Sequence, residues 1–158
     1  GKGATMSASF VETVRIDMLL PANHAEAVNG LLYLTGGGWT DLHRRIVGGQ
    51  APPSHFGVAL SVRVPWNATN APHTFVVDVQ NEDATTVIVH VTGEINVGRP
   101  PQITPGAVQH AVIAINVDTL FPAPGGYRII ATLDGGVDSA TWPFQVHDTH
   151  STGIGSLP

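Results

Sequence analysis

The chain has 158 residues, 42% hydrophobic and 12% charged, which is enough apolar material for one domain's core and too much for a disordered chain. Seven Lys and Arg stand against 12 Asp and Glu, a formal charge of -5 with histidine neutral. That leaves no basic surplus for nucleic-acid phosphates or anionic lipid headgroups, and the lack of any cysteine removes disulfides, thiolate zinc sites and cysteine nucleophiles.

Eighteen glycines and 12 prolines forecast many turns. Gly1 to Met6 are read as lacking the apolar run of a secretory signal, and no window reaches the roughly 18 unbroken apolar residues of a membrane helix, so a cytoplasmic protein with no membrane partner is expected. Residues 1–10 are expected to be disordered or left over from expression, 11–147 to form the domain, and 148–158 to be a flexible polar tail.

Val14, Ile16, Met18 and Leu20 alternate with polar positions and predict a first strand with Asp17 facing outward. Ala22 to Val28 is the one helical candidate, with Asn23 and Glu26 at capping-box spacing. Asn29-Gly30 is a hairpin signal, because both residues tolerate positive φ, and Leu31 to Leu34 follow it. Asp41 to Val47 reads as a short strand without clean alternation. Phe56 to Val64 alternates throughout and stops at Pro65. Phe75 to Gln80 and Thr85 to Thr92 are predicted to pair across Asn81-Glu82-Asp83. Val108 to Val117 reads as a strand buried on both faces. Tyr127 to Leu133 and Ala140 to Val146 close the chain as a hairpin across Asp134-Gly135-Gly136, with Tyr127 and Trp142 in the core. The sum is all-β: a single-domain antiparallel immunoglobulin-like β-sandwich of eight or nine strands.

Two parts of the sequence carry a resemblance. Asp17-Met18-Leu19-Leu20, then His24 to Leu34, then Gly36-Gly37-Gly38-Trp39 resemble the N-terminal signature of a family of small bacterial β-sandwich proteins of unknown function. Pro124 to Ile129, the Asp134-Gly135 turn and Pro143 to Val146 are similar to that family's closing hairpin. The resemblance implies a compact β-sandwich and brings no activity, substrate or catalytic residue with it.

Eight histidines without cysteine raise the question of a metal held by imidazole and carboxylate. His147, Asp148 and His150 are the candidate ligands near the end of the chain, but no metal or other cofactor is expected. Asp17, His24, Glu26, Trp39 and His43 are the candidate binding residues, since strand pairing would bring them to one edge; Glu26 is expected to cap a turn and His24 to bond a neighbouring loop. Gly36-Gly37-Gly38 lacks the Lys and helix of a phosphate loop and reads as a close approach of chains. Apolar residues on both faces of several strands, among them Val76, Ile88, Ala111, Ile113 and Ile130, predict exposed apolar surface. The expected function is therefore a non-enzymatic interaction or assembly protein, a homo-oligomer or the partner of another protein. A metal-dependent enzyme using His24, Glu26 and His43 is one alternative. A carbohydrate- or ligand-binding module stacking on Tyr33, Trp39 and Trp66 is the other.

Overall fold

A computed structural model describes residues 12–150. In chain order they form β1 (Arg15–Ala22), β2 (His24–Val28), β3 (Leu31–Thr35), β4 (Asp41–Ile46), β5 (Ser54–Val64), a 3-10 turn at Trp66–Ala68, β6 (Pro72–Asn81), β7 (Val87–Asn96), β8 (Gln109–Thr119), β9 (Gly125–Leu133) and β10 (Asp138–His150). One sheet has the order β1-β5-β8 and a second the order β4-β10-β9-β6-β7, while β2 and β3 pair only with each other. Every pairing is antiparallel except β4 with β10, which run parallel. The chain is all-β as expected, with ten strands among the described residues rather than eight or nine.

The extra strand is β2, where a short helix was expected. Asn29 and Gly30 take φ of 50° and 76°, closing a two-residue turn that sets Val28 opposite Leu31 and Glu26 opposite Tyr33. Two helical turns are too short to hold without packing, so cross-strand pairing overrides the capping-box signal, and Glu26 caps nothing. The closing strand also runs further than its periodicity indicated. Asp148, Thr149 and His150, expected in the flexible tail, instead pair with Arg44, Arg45 and Ile46 of β4. The expectations for residues 1–10 and 151–158 fall outside the described residues.

Alternation builds the core. Phe56, Val58, Leu60, Val62 and Val64 of β5 face Val77 and Val79 of β6, Ile129, Ala131 and Leu133 of β9, and Phe144 and Val146 of β10 in one apolar cluster shared by both large sheets. Each such side chain contributes roughly 1.5–3 kcal/mol relative to exposure. Tyr127 is buried with them, its hydroxyl donating to the Ala123 carbonyl at 2.6 Å. Trp142 is only partly buried against the cluster and donates its indole N–H to the Trp39 carbonyl at 3.0 Å. β8 is not buried on both faces: it is an edge strand whose inner residues Ile113, Ile115 and Val117 are half-covered.

β5, by contrast, is buried on both faces, because the β2–β3 hairpin lies across its outer side. Gly57 and Ala59 face outward yet are buried. A Cβ on Gly57 would stand 2.8 Å from the Ala25 backbone nitrogen, so only glycine admits the hairpin. The Asn116 side chain of β8 then clamps it, accepting from Ala25 N–H at 3.1 Å and donating to Ala25 C=O at 2.7 Å.

β4 lacks clean alternation because one of its inward positions is an arginine. Arg44 is 8% exposed; its Nε and Nη2 donate to the two Asp148 oxygens at 2.7 and 2.9 Å, and Nη1 donates to the Phe121 carbonyl at 2.5 Å. This fork also holds the Asp148 carboxyl below its usual pKa range.

His73 forms a second polar tie. Its Nδ1 meets Asp134 Oδ2 at 2.7 Å and its Nε2 meets the Ala68 carbonyl at 2.6 Å, so both nitrogens face acceptors and both bonds form only on the imidazolium. Burial opposes that charge, but the Ala68 carbonyl and the Asp134 carboxylate outweigh it and raise the His73 pKa. A raised folded pKa gives stability that is complete below the ordinary imidazole value and fades as pH rises through the folded one. The stability advantage of the native chain over His73→Gln is expected to be largest in mild acid and to shrink on alkalinisation, as read by urea melts across that range. For the core, Phe144→Ala is expected to cost about 3–5 kcal/mol in the same assay, with half-buried Trp142→Ala costing less.

Candidate functional site

Two glycines open the principal cleft. Gly36 and Gly38 take φ of 61° and 86°, and a Cβ on Gly36 would strike the Asn23 side-chain amide. The turn they allow brings Gly38 N–H to the Pro21 carbonyl at 2.7 Å and carries the chain from β3 into β4. Close chain approach is therefore what the glycine run provides. Between this loop, β4 and the start of β5 lies a cleft of about 710 Å³, with Trp39 at its base and Asn23, Asp41, His43, Arg45 and His55 among its lining.

One wall carries a cross-strand network. His147 lies opposite His43 in the parallel register, and their rings stack at 5.0 Å. His147 Nε2 meets Asp41 Oδ1 at 2.7 Å, and the Thr40 hydroxyl donates to Asp41 Oδ2 at 3.0 Å. These bonds, the His147 one first, lower the Asp41 pKa. Across the cleft, His55 stacks on His24 with ring centres 5.8 Å apart. A chain of polar contacts runs Glu26 to His24 at 3.4 Å, His24 to His55 at 3.5 Å and His55 to Asp118 at 3.0 Å. It requires three ring N–H donors from two imidazoles, so all three contacts are hydrogen bonds only when one ring carries two protons.

Of the five binding candidates, Trp39 and His43 line the cleft, while His24 and Glu26 reach its rim through His55. His24 bonds Glu26 and His55, not the neighbouring loop it was expected to meet. Asp17 belongs elsewhere: it pairs with His110 at 2.9 Å and lies five residue steps, about 16 Å, along β1 from Ala22 at its hairpin end. His24, Glu26 and His43 do not converge, since His43 is engaged with His147 on the opposite wall. Of His147, Asp148 and His150, the last two line a second cleft beside Arg44 and His147 lies apart from them. Alternation along β10 turns His147 outward to Asp41 and Asp148 inward to Arg44. Among the described residues no group of three or more His, Cys, Asp or Glu is arranged to hold a metal ion.

Two of the three aromatics of the stacking alternative, Trp39 and Trp66, are likewise apart. Trp39 packs edge-on against Phe56 and Phe144, whereas Trp66 follows the other end of β5, about 30 Å away, with the Arg99 guanidinium 3.9 Å over its ring. Sequence reasoning missed His55 and Asp118. They are register partners on β5 and β8, and only the strand order reveals the pair. Because His147 is the first cause of the lowered Asp41 pKa, His147→Ala is expected to move that carboxyl back toward its ordinary range, as followed by carbon-detected NMR titration.

The sequence matches a model described as a family of unknown function (DUF6941) over residues 17–147. No curated protein matches it. Among solved structures, a protein from Bacteroides fragilis described as a "putative beta-galactosidase" is 11% identical, with a TM-score of 0.44, over 82% of this chain and 17% of that one. The chain thus spans about a sixth of that protein's length, and a similarity at this level carries no activity across. The family match takes in most of the chain, both cleft walls included, and by it the chain belongs to the DUF6941 family of unknown function.

Proposed function

We propose that this domain is an immunoglobulin-like sandwich that works by association rather than catalysis, as a self-assembling interaction protein. The strand orders β1-β5-β8 and β4-β10-β9-β6-β7 support the fold reading, as does the Tyr127 hydroxyl bonded to a carbonyl four residues upstream at the start of β9. One observation carries the functional reading: large apolar side chains stand in solvent on elements whose other face is packed. On the hairpin, Ala25, Leu32 and Leu34 turn toward the domain, so Val28, Leu31 and Tyr33 turn out together at 45, 60 and 55% exposure. On β7, Val87 is 51% exposed at the start of an open sheet edge. Apolar surface gathered in this way on a compact domain marks a partner or a second copy.

The cleft favours the same reading. Its histidines and carboxylates are bonded to or stacked on one another, and no nucleophile, base and third orienting group are aligned among them. Light scattering at micromolar concentration is expected to give a dimer or larger species. A monomer of 16.5 kDa would overturn the proposal.

A further inference from the structure

We infer that the open edge of β7 is the seat of a second copy of this chain, which adds its own β7 antiparallel about a two-fold axis through Thr92. The inference rests on the self-association proposed above and names its surface.

A strand at the end of a sheet presents a row of backbone N–H and C=O groups with no partner, and proteins that stay apart blunt such edges with charge, proline or brevity. Most edges here are blunted. β4 spans six residues and carries Asp41, His43 and Arg45; β1 carries Arg15, Asp17 and Pro21; β3 has five residues. β8 is longer, but its Asn116 is committed to the hairpin and Asp118 lies near its end. β7 is interrupted near its start, where its register with β6 shifts, and is regular from Val89 onward. It runs ten residues, Val-Ile-Val-His-Val-Thr-Gly-Glu-Ile-Asn, with Glu94 as its one carboxylate and no Lys, Arg or Pro. It ends the five-stranded sheet, with β6 on one side and, among the described residues, no strand on the other. Its apolar residues Ile88, Val89 and Val91 are half-covered where a neighbouring strand would complete the burial.

The side chains select the occupant. Val79 of β6 is buried and lies opposite Val89, so Val89 and Val91 turn inward while His90, Thr92 and Glu94 share the outer face; Ile88 stands at a register shift and packs against the core. Antiparallel pairing about Thr92 sets Thr92 against the partner's Thr92 and His90 against the partner's Glu94, twice over by symmetry. The His90 ring already meets Asp78 of β6 at 2.5 Å, and the partner's Glu94 adds a second carboxylate on its open side. On the inner side Val89 meets the partner's Ile95, and Val91 meets the partner's Gly93. Space for Gly93 is limited because the Phe75 ring fills the place of its missing Cβ. This register opposes no like charges and leaves neither His90 nor Glu94 without an acceptor or donor.

The chain contains no cysteine, so one introduced thiol reports cleanly. Under mild oxidation Thr92→Cys is expected to convert to a covalent dimer, since residues facing each other across a two-fold strand pair lie within disulfide range, whereas Thr141→Cys, exposed on β10 and separated from β7 by β9 and β6, is expected to stay monomeric. Glu94→Lys is expected to raise the dimer dissociation constant about tenfold in sedimentation equilibrium, and the exchange His90→Glu with Glu94→Lys to restore most of it. Circular dichroism of each variant reports whether the fold is kept; both charges are exposed or half-exposed and lie outside the core. A native dimer whose Thr92→Cys fails to cross-link, or cross-links no faster than Thr141→Cys, overturns the β7 edge and leaves self-association standing. A native monomer overturns both.

Discussion

A guanidinium cannot be taken out of water without replacing what water gave it, and the arrangement around Arg44 follows from that requirement. Its five N–H donors need acceptors in a region that is otherwise apolar. Asp148 supplies two oxygens from the strand alongside, and Phe121 supplies a carbonyl from the loop before β9. Meeting the demand fixes three segments at once. β4 is held parallel to β10, the chain near Phe121 is drawn in, and the outward residues Asp41, His43 and Arg45 are left in a row along one wall of the cleft. The His43–His147 stack and the Asp41–His147 bond depend on a register that the buried fork sets from the other face.

The opposite wall obeys a steric rule instead of an electrostatic one. Gly57 leaves a gap in the outer surface of β5, the Ala25 backbone drops into it, and Asn116 ties it down through both of its peptide groups. His24 is thereby carried over His55. The cleft separates two bodies positioned by unrelated means, a buried ion pair and a missing methyl group, and this accounts for the division of its histidines into two networks.

Much of this was readable in the chain. The alternation of Phe56 to Val64, the Asn29-Gly30 turn and the pairing of Tyr127 to Leu133 with Ala140 to Val146 are local signals, and the strands formed where they indicated. Family membership agrees with the resemblance carried by the two ends, at the level of a family of unknown function. What failed to show was long-range. An arginine in β4 looked like broken periodicity because its partner lies 104 residues on. Ala22 to Val28 resembled a helix start because the side chain that holds it as a strand, Asn116, lies 91 residues away. Trp39 and His43 reached the cleft as grouped from sequence, but Asp17 did not, since neighbours along a strand diverge by about 3.3 Å per residue whatever their chemistry.

The parallel pairing of β4 with β10 also governs the order in which the domain can be completed during synthesis. β4 emerges early, yet its strand partner among the described residues is almost the last of them to be made, so its edge and the Arg44 charge stay unsatisfied while a hundred residues follow. Hairpins such as β2 with β3 can close as they appear; this pair cannot, and its loop-closure entropy must be met before any contact rewards it. A ribosome-bound chain lacking Asp148 would hold a sheet without its fifth strand and a cleft without a wall, which makes the closing segment the step that commits the nascent domain to its final form.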